Sequence, residues 1–125
     1  MSDFFGAILE RFTDRDKALI NFMIEEATRV FNISKKDILI SMNVNATYPR
    51  MSCYVLLKKY TKLSQQTIGR EIFNRTQELI SMEITRFYSK IYPDKFYAEF
   101  NSQHDRLEDG IKDFILQYER QRKTF

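Results

Sequence analysis

Apolar residues recur along this chain at three- and four-residue spacing, the period of one face of an α-helix. Ser2 and Asp3 open a first short helix carrying Phe4, Phe5, Ile8, Leu9 and Phe12. Thr13 followed by Asp16 forms a capping-box-like start for a second, over about 14–31. There Leu19, Phe22, Met23, Glu26 and Val30 share a stripe that Ile20, Ile24, Ala27 and Phe31 widen. Such a helix is buried on more than half its circumference, and Asn32 can end it in the left-handed conformation. Ser34 with Asp37 opens a helix of one or two turns through Ile38 and Leu39. The polar stretch 41–47 reads as a surface loop.

The segment 48–92 organises the rest. Pro49 suits the first turn of a helix because its missing N–H has no partner to lose there. Met51, Tyr54, Val55 and residues 57–60 make that helix amphipathic to about Thr61. Leu63 precedes Ser64, an apolar residue before a cap, and a short helix over 65–72 turns Ile68 and Ile72 inward. Gly69 lies between them and allows a neighbouring helix to approach closely. Phe73 and Asn74 form a turn, with Asn74 suited to capping or to positive φ, and a third helix over 75–91 buries Leu79 or Ile80, Ile84, Phe87 and Ile91. A short helix, a tight turn and a longer helix is the layout of a helix-turn-helix DNA reader. Beyond Pro93, an aromatic-rich turn of helix (Phe96, Tyr97, Phe100) precedes a last helix over about 104–121. Leu107, Ile111, Phe114, Ile115 and Tyr118 form its stripe, and its tail is expected to fray.

This pattern predicts an all-α fold in one domain, 1–125. A core at about 31–92 is flanked by N-terminal helices over 3–31 and C-terminal helices over 94–121 packed on it. With 3 Gly and 2 Pro in 125 residues, the chain lacks the punctuation a β-sandwich needs. No apolar run approaches the length of a membrane span, and no basic region precedes the first apolar residues, so no secretory signal is expected. One cysteine excludes an internal disulfide and fits a cytoplasmic setting. Net charge is only +3, but 48–92 carries eight basic residues (Arg50, Lys58, Lys59, Lys62, Arg70, Arg75, Arg86, Lys90) against three acidic ones. A polyanion is drawn to that middle.

Catalytic chemistry finds little footing. His104 stands in a polar stretch without a second His or a Cys beside it, and reads as a surface residue or helix cap. Cys53 reads as a small core filler, and adjacent carboxylates such as Glu25 and Glu26 face different directions on a helix. Neither an enzyme, a cofactor, a metal nor a small-molecule substrate is expected.

Three stretches, FNISKKDIL (31–39), PRMSCYVLLKKYTKLS (49–64) and SQQTIGREI (64–72), resemble the C-terminal DNA-binding domain of the bacterial replication initiator DnaA, in the Trp-repressor-like helix-turn-helix superfamily. The last two are similar to the family's P-R-Q…L…L-T-x-x-S and S-L-P-E-I-G-x-x-F. The resemblance implies binding to double-stranded DNA, as in a transcription or replication regulator. It implies DNA-backbone contacts from Arg50 and Lys58, with Gln65 and Gln66 starting the helix laid against the DNA. Arg75 matches the arginine opening the recognition helix in the family's G-G-R-D-H-T-T-V signature. That signature reads FNRTQELI here (73–80), so both glycines and Asp-His-Thr-Thr are replaced, and 41–47 has no Lys or Arg where the family has an arginine-rich loop. No Gly-rich phosphate loop accompanies it.

From residue chemistry, Arg75 and Gln77 suit guanine and adenine respectively, and Glu78 can accept from cytosine N4. Thr76 completes that exposed start, and Lys58, Lys59 and Lys62 with Arg50 supply phosphate anchoring. The alternative is a protein-interaction module that kept the fold and lost the DNA, with a homodimer or another protein as partner.

Overall fold

The structure, a computed structural model, describes residues 12–40 and 42–124, with side chains as far as 122. The helix expected over 3–12, with Phe4, Phe5, Ile8 and Leu9, lies outside the described residues except for Phe12, which packs on the core. Within them the chain is all helix and turn, as the apolar spacing predicts.

Helix α1 (Asp14–Phe31) starts where Thr13 accepts a hydrogen bond from the Asp16 N–H at 3.2 Å. It ends where Asn32 takes a left-handed conformation, φ 52°. Leu19, Ile20, Met23, Ile24 and Ala27 are buried on it. Helix α2 (Lys35–Leu39) is a single turn capped by Ser34, which accepts from the Asp37 N–H at 3.1 Å. Within the expected loop, Val44–Ala46 form a 3-10 turn capped by Asn43 and running straight into α3 (Thr47–Tyr60).

Helix α3 corrects the amphipathic reading. Residues 49–57 are buried without exception, and only at Lys58 and Lys59 does the helix emerge. Two of the buried residues are strongly polar for an interior, and each has partners there. Arg50, 7% exposed, donates to the backbone carbonyls of Asp37 (2.7 Å) and Asn43 (3.3 Å). Ser52 meets the His104 imidazole at 2.7 Å.

Helix α4 begins as an α-turn, Gln65–Thr67, capped by Ser64, and widens to π geometry over Ile68–Phe73. Helix α5 is α-helical over Gln77–Arg86 and π over Phe87–Ile91. Asp94 caps a 3-10 turn, Lys95–Tyr97, which leads into α6 (Ala98–Thr124). The two C-terminal helices expected from sequence are thus one after the 3-10 turn, since no Gly or Pro interrupts 98–109. The tail expected to fray from Arg120 is helical to Thr124. Asn101, on the first turns of α6, donates to the Ile91 and Tyr92 carbonyls at 3.1 Å and closes the end of α5.

Helix α6 lies along α1, with Phe22 stacked on Phe114 at 4.6 Å between ring centroids. The main core joins α1, α2, α3, α4, the start of α5 and the middle of α6. A second cluster places Met51, Val55, Phe87 and Ile91 against Tyr48, Ile84, Tyr97 and Phe100. Of the aromatic-rich turn, Tyr97 and Phe100 therefore pack within the chain, whereas Phe96 points outward.

His104 is the clearest correction. Expected at the surface or as a cap, it is 3% exposed in mid-helix, its ring 4.5 Å from that of Phe87. Its neighbours in sequence are polar, but it stands three and seven residues before Leu107 and Ile111, on the buried stripe of α6.

Candidate nucleic-acid interface

The unit α4–α5 is set by one backbone approach. A Cβ on Gly69 would stand 2.4 Å from the Arg75 carbonyl oxygen and 3.1 Å from Ile80 Cγ1. Glycine is required there by space, not by dihedral angle. The Arg75 N–H also reaches back to the Gly69 carbonyl at 2.8 Å. Asn74 makes the bend at φ 53°. It ends α4 and does not cap α5. Thr76 does that, accepting from the Leu79 N–H at 3.2 Å. Ile68, Ile72 and Phe73 below and Ile80 above close the corner, with Tyr54 of α3 edge-on to Phe73 at 4.9 Å.

The first turns of α5 present a continuous polar face. Gln77, Ser81 and Thr85 recur every fourth residue, with Glu78 and Met82 beside them, and these five line one shallow groove. Gln77, Glu78, Met82 and Thr85 are exposed and Ser81 half-buried. Ser81 and Thr85 join the face expected from Gln77 and Glu78, because their spacing from Gln77 places them on its stripe.

Of the expected phosphate contacts, Lys58 and Lys62 are exposed. Lys58 continues, at four-residue steps, the stripe of Arg50 and Tyr54, whose Tyr54 ring meets Phe73 at the end of α4. Lys59 is directed elsewhere, into an ion pair with Glu108 of α6. Gln66 is exposed at the start of α4, Gln65 half-buried, and Arg70 adds an exposed cation on that helix.

Arg50 corrects the expectation. Expected at the DNA backbone, it is placed as an internal strut, 7% exposed, with its guanidinium bonded to the Asp37 and Asn43 carbonyls. Burial draws its pKa below the ordinary value. Arg75, the expected guanine reader, is half-buried and turns its Nη1 onto the carbonyls of Phe73 (3.1 Å) and Asn74 (3.2 Å). On the hidden side of α5, Glu83 is buried with Oε2 lacking a hydrogen-bond donor. Burial raises its pKa, opposed by the charges of Arg86 and Arg50.

Elsewhere among the described residues, several titratable side chains of α3, α5 and α6 are linked to one another. His104, Asp105 and Glu108 bring one ligand atom each within 4.8 Å of one another, a set not expected from the polar stretch around His104. Glu108 Oε2 accepts from Lys59 and from the Tyr60 hydroxyl, and Asp105 accepts from Tyr92 at 2.9 Å. Burial works to raise the Glu108 carboxyl, but the bonds from Lys59 and Tyr60 outweigh it and hold its pKa below the usual value. These links fasten α3 and the end of α5 to α6. Ser52 is fully buried against His104. Cys53 is the core filler expected, its thiol pushed up to about 12 by burial and so kept protonated.

No family model, curated protein or solved structure matches the chain. Among the described residues, no helix is long and apolar enough to cross a membrane.

Proposed function

We propose that α4 and α5 form a helix-turn-helix that binds duplex DNA in the manner of DnaA-type C-terminal domains, with α5 entering the major groove. The observation that carries this reading is the open face of α5 (Gln77, Glu78, Ser81, Met82, Thr85), which no other element among the described residues covers. A reader helix must be both uncovered and fixed in angle, and the Gly69–Arg75 approach supplies the second condition. Lys58, Lys62 and Arg70 supply exposed positive charge on α4 and at the approach to it. Such contacts position the protein on phosphates without reading sequence.

Titration of a short random duplex by fluorescence anisotropy at several salt concentrations tests this. Affinity should fall with salt at about 0.9 logarithmic units per phosphate neutralised. Lys58→Ala and Lys62→Ala should each reduce that slope by about one phosphate. Failure to bind any duplex at low salt overturns the reading.

A second reading, docking of a protein on the same face, is favoured by Met82, which is 58% exposed beside the acidic Glu78. A folded protein that binds no duplex leaves that reading standing.

A further inference from the structure

We infer that the α5 face selects A·T base pairs, through adenine edges and thymine methyl groups, and discriminates against guanine. This rests on the duplex-binding reading above and goes beyond it to the class of sequence bound.

Guanine shows two acceptors, O6 and N7, to the major groove, and its commonest and strongest direct readers are the forked or ammonium donors of Arg and Lys. The face Gln77, Glu78, Ser81, Met82, Thr85 contains neither. The flanking arginines are occupied. Arg75 folds back on the Phe73 and Asn74 carbonyls. Arg86 hydrogen-bonds the Tyr48 hydroxyl at 3.2 Å and lies over its ring at 5.6 Å. Glu78 cannot donate to guanine O6 or N7, and its carboxylate can accept from cytosine N4 or adenine N6 alike, so the preference falls to Gln77, Met82 and Thr85.

The groups that remain match A·T. The Gln77 amide offers the donor and acceptor that pair with adenine N7 and N6. Met82 and the Thr85 methyl are apolar, and the thymine C5 methyl is the apolar group of the major groove. At 1.5 Å rise per residue, Met82 lies about 7.5 Å and Thr85 about 12 Å along α5 from Gln77. With base pairs about 3.4 Å apart, the face spans about three to four base-pair steps.

The experiment compares duplexes of one length at fixed low salt: A·T only, G·C only, and A·U, which lacks the thymine methyl. Native protein should bind A·T at least about tenfold more tightly than G·C, the scale of one bidentate contact. Uracil should weaken native binding severalfold and Met82→Ala binding much less. Gln77→Ala should lose A·T preference while keeping its circular-dichroism spectrum. Equal binding to A·T and G·C, or indifference of the native protein to uracil, overturns the inference and leaves duplex binding intact. Failure to bind all three removes the underlying reading as well.

Discussion

Gly69 and Arg75 touch through their backbones, the α-carbon of one lying under the carbonyl of the other so closely that a methyl group would stand 2.4 Å from that oxygen. A carbonyl in a tight corner cannot swing aside as a flexible side chain can. Gly69→Ala should therefore push α5 away from α4 and destabilise the fold by about 1–3 kcal/mol, the range for overpacking a filled site. Urea denaturation checks the stability. A parallel duplex titration should show a loss greater than the unfolded fraction explains, because the angle of α5 changes too.

Arg50 links α3 to the end of α2 and to the turn at Asn43. Hydrogen bonds from a charged donor contribute about 1.5–3 kcal/mol, and removing one side leaves carbonyls unpaired. Arg50→Ala should lower stability by about 2–4 kcal/mol. Among molecules still folded, the salt slope of duplex binding should be unchanged, which separates Arg50 from Lys58 and Lys62. A reduced slope would return Arg50 to the interface.

The Ser52–His104 pair makes stability depend on pH. Burial lowers the His104 pKa, with the Glu108 and Asp105 charges opposing and Lys59 assisting. The unfolded chain then binds the proton more readily than the folded one, so stability rises with pH up to the ordinary value of about 6.5. Below it stability falls until the lower folded pKa is passed. His104→Phe should flatten the melting temperature over that window. Ser52→Ala leaves Nδ1 without its partner and should cost about 1–3 kcal/mol.

Glu83 works in the opposite sense. Its raised pKa means that the folded protein holds the proton more firmly, so its contribution is most favourable below the ordinary value of 4.5 and fades as pH rises through the folded pKa. Glu83→Gln removes the buried charge and should leave stability at neutral pH equal or higher. Melts at acid and neutral pH should show the native protein gaining on the variant as pH falls. A variant much weaker at neutral pH would mean that Glu83 is needed as a charged partner of Arg86.

What the sequence reveals here is what short-range hydrogen bonding decides. Thr13, Ser34 and Ser64 cap helices as their spacing predicts, since a hydroxyl and an N–H three residues on need no other part of the chain. The helix order, the left-handed Asn32 and the inward Ile68 and Ile72 follow from the same local rules. Asn74 is suited by type both to a cap and to positive φ, and it takes the second while Thr76 caps α5, beside the tight approach at Gly69. Arg50, Ser52 and His104 look like surface residues because their type prefers water. Each is buried because a distant segment supplies its partner. For the candidate interface, the exposed start of α5 is legible from periodicity, but the burial of Arg50 and the turning back of Arg75 are not.

Helix α3 has no side facing water between residues 49 and 57. A segment of that kind cannot be dissolved by itself, so the other helices act as its solvent and must close around it together. No single outer helix can peel off and leave a stable remainder, because each departure uncovers part of the same rod. Unfolding should accordingly be one concerted event, and fragments lacking α1 or α6 should aggregate in place of folding.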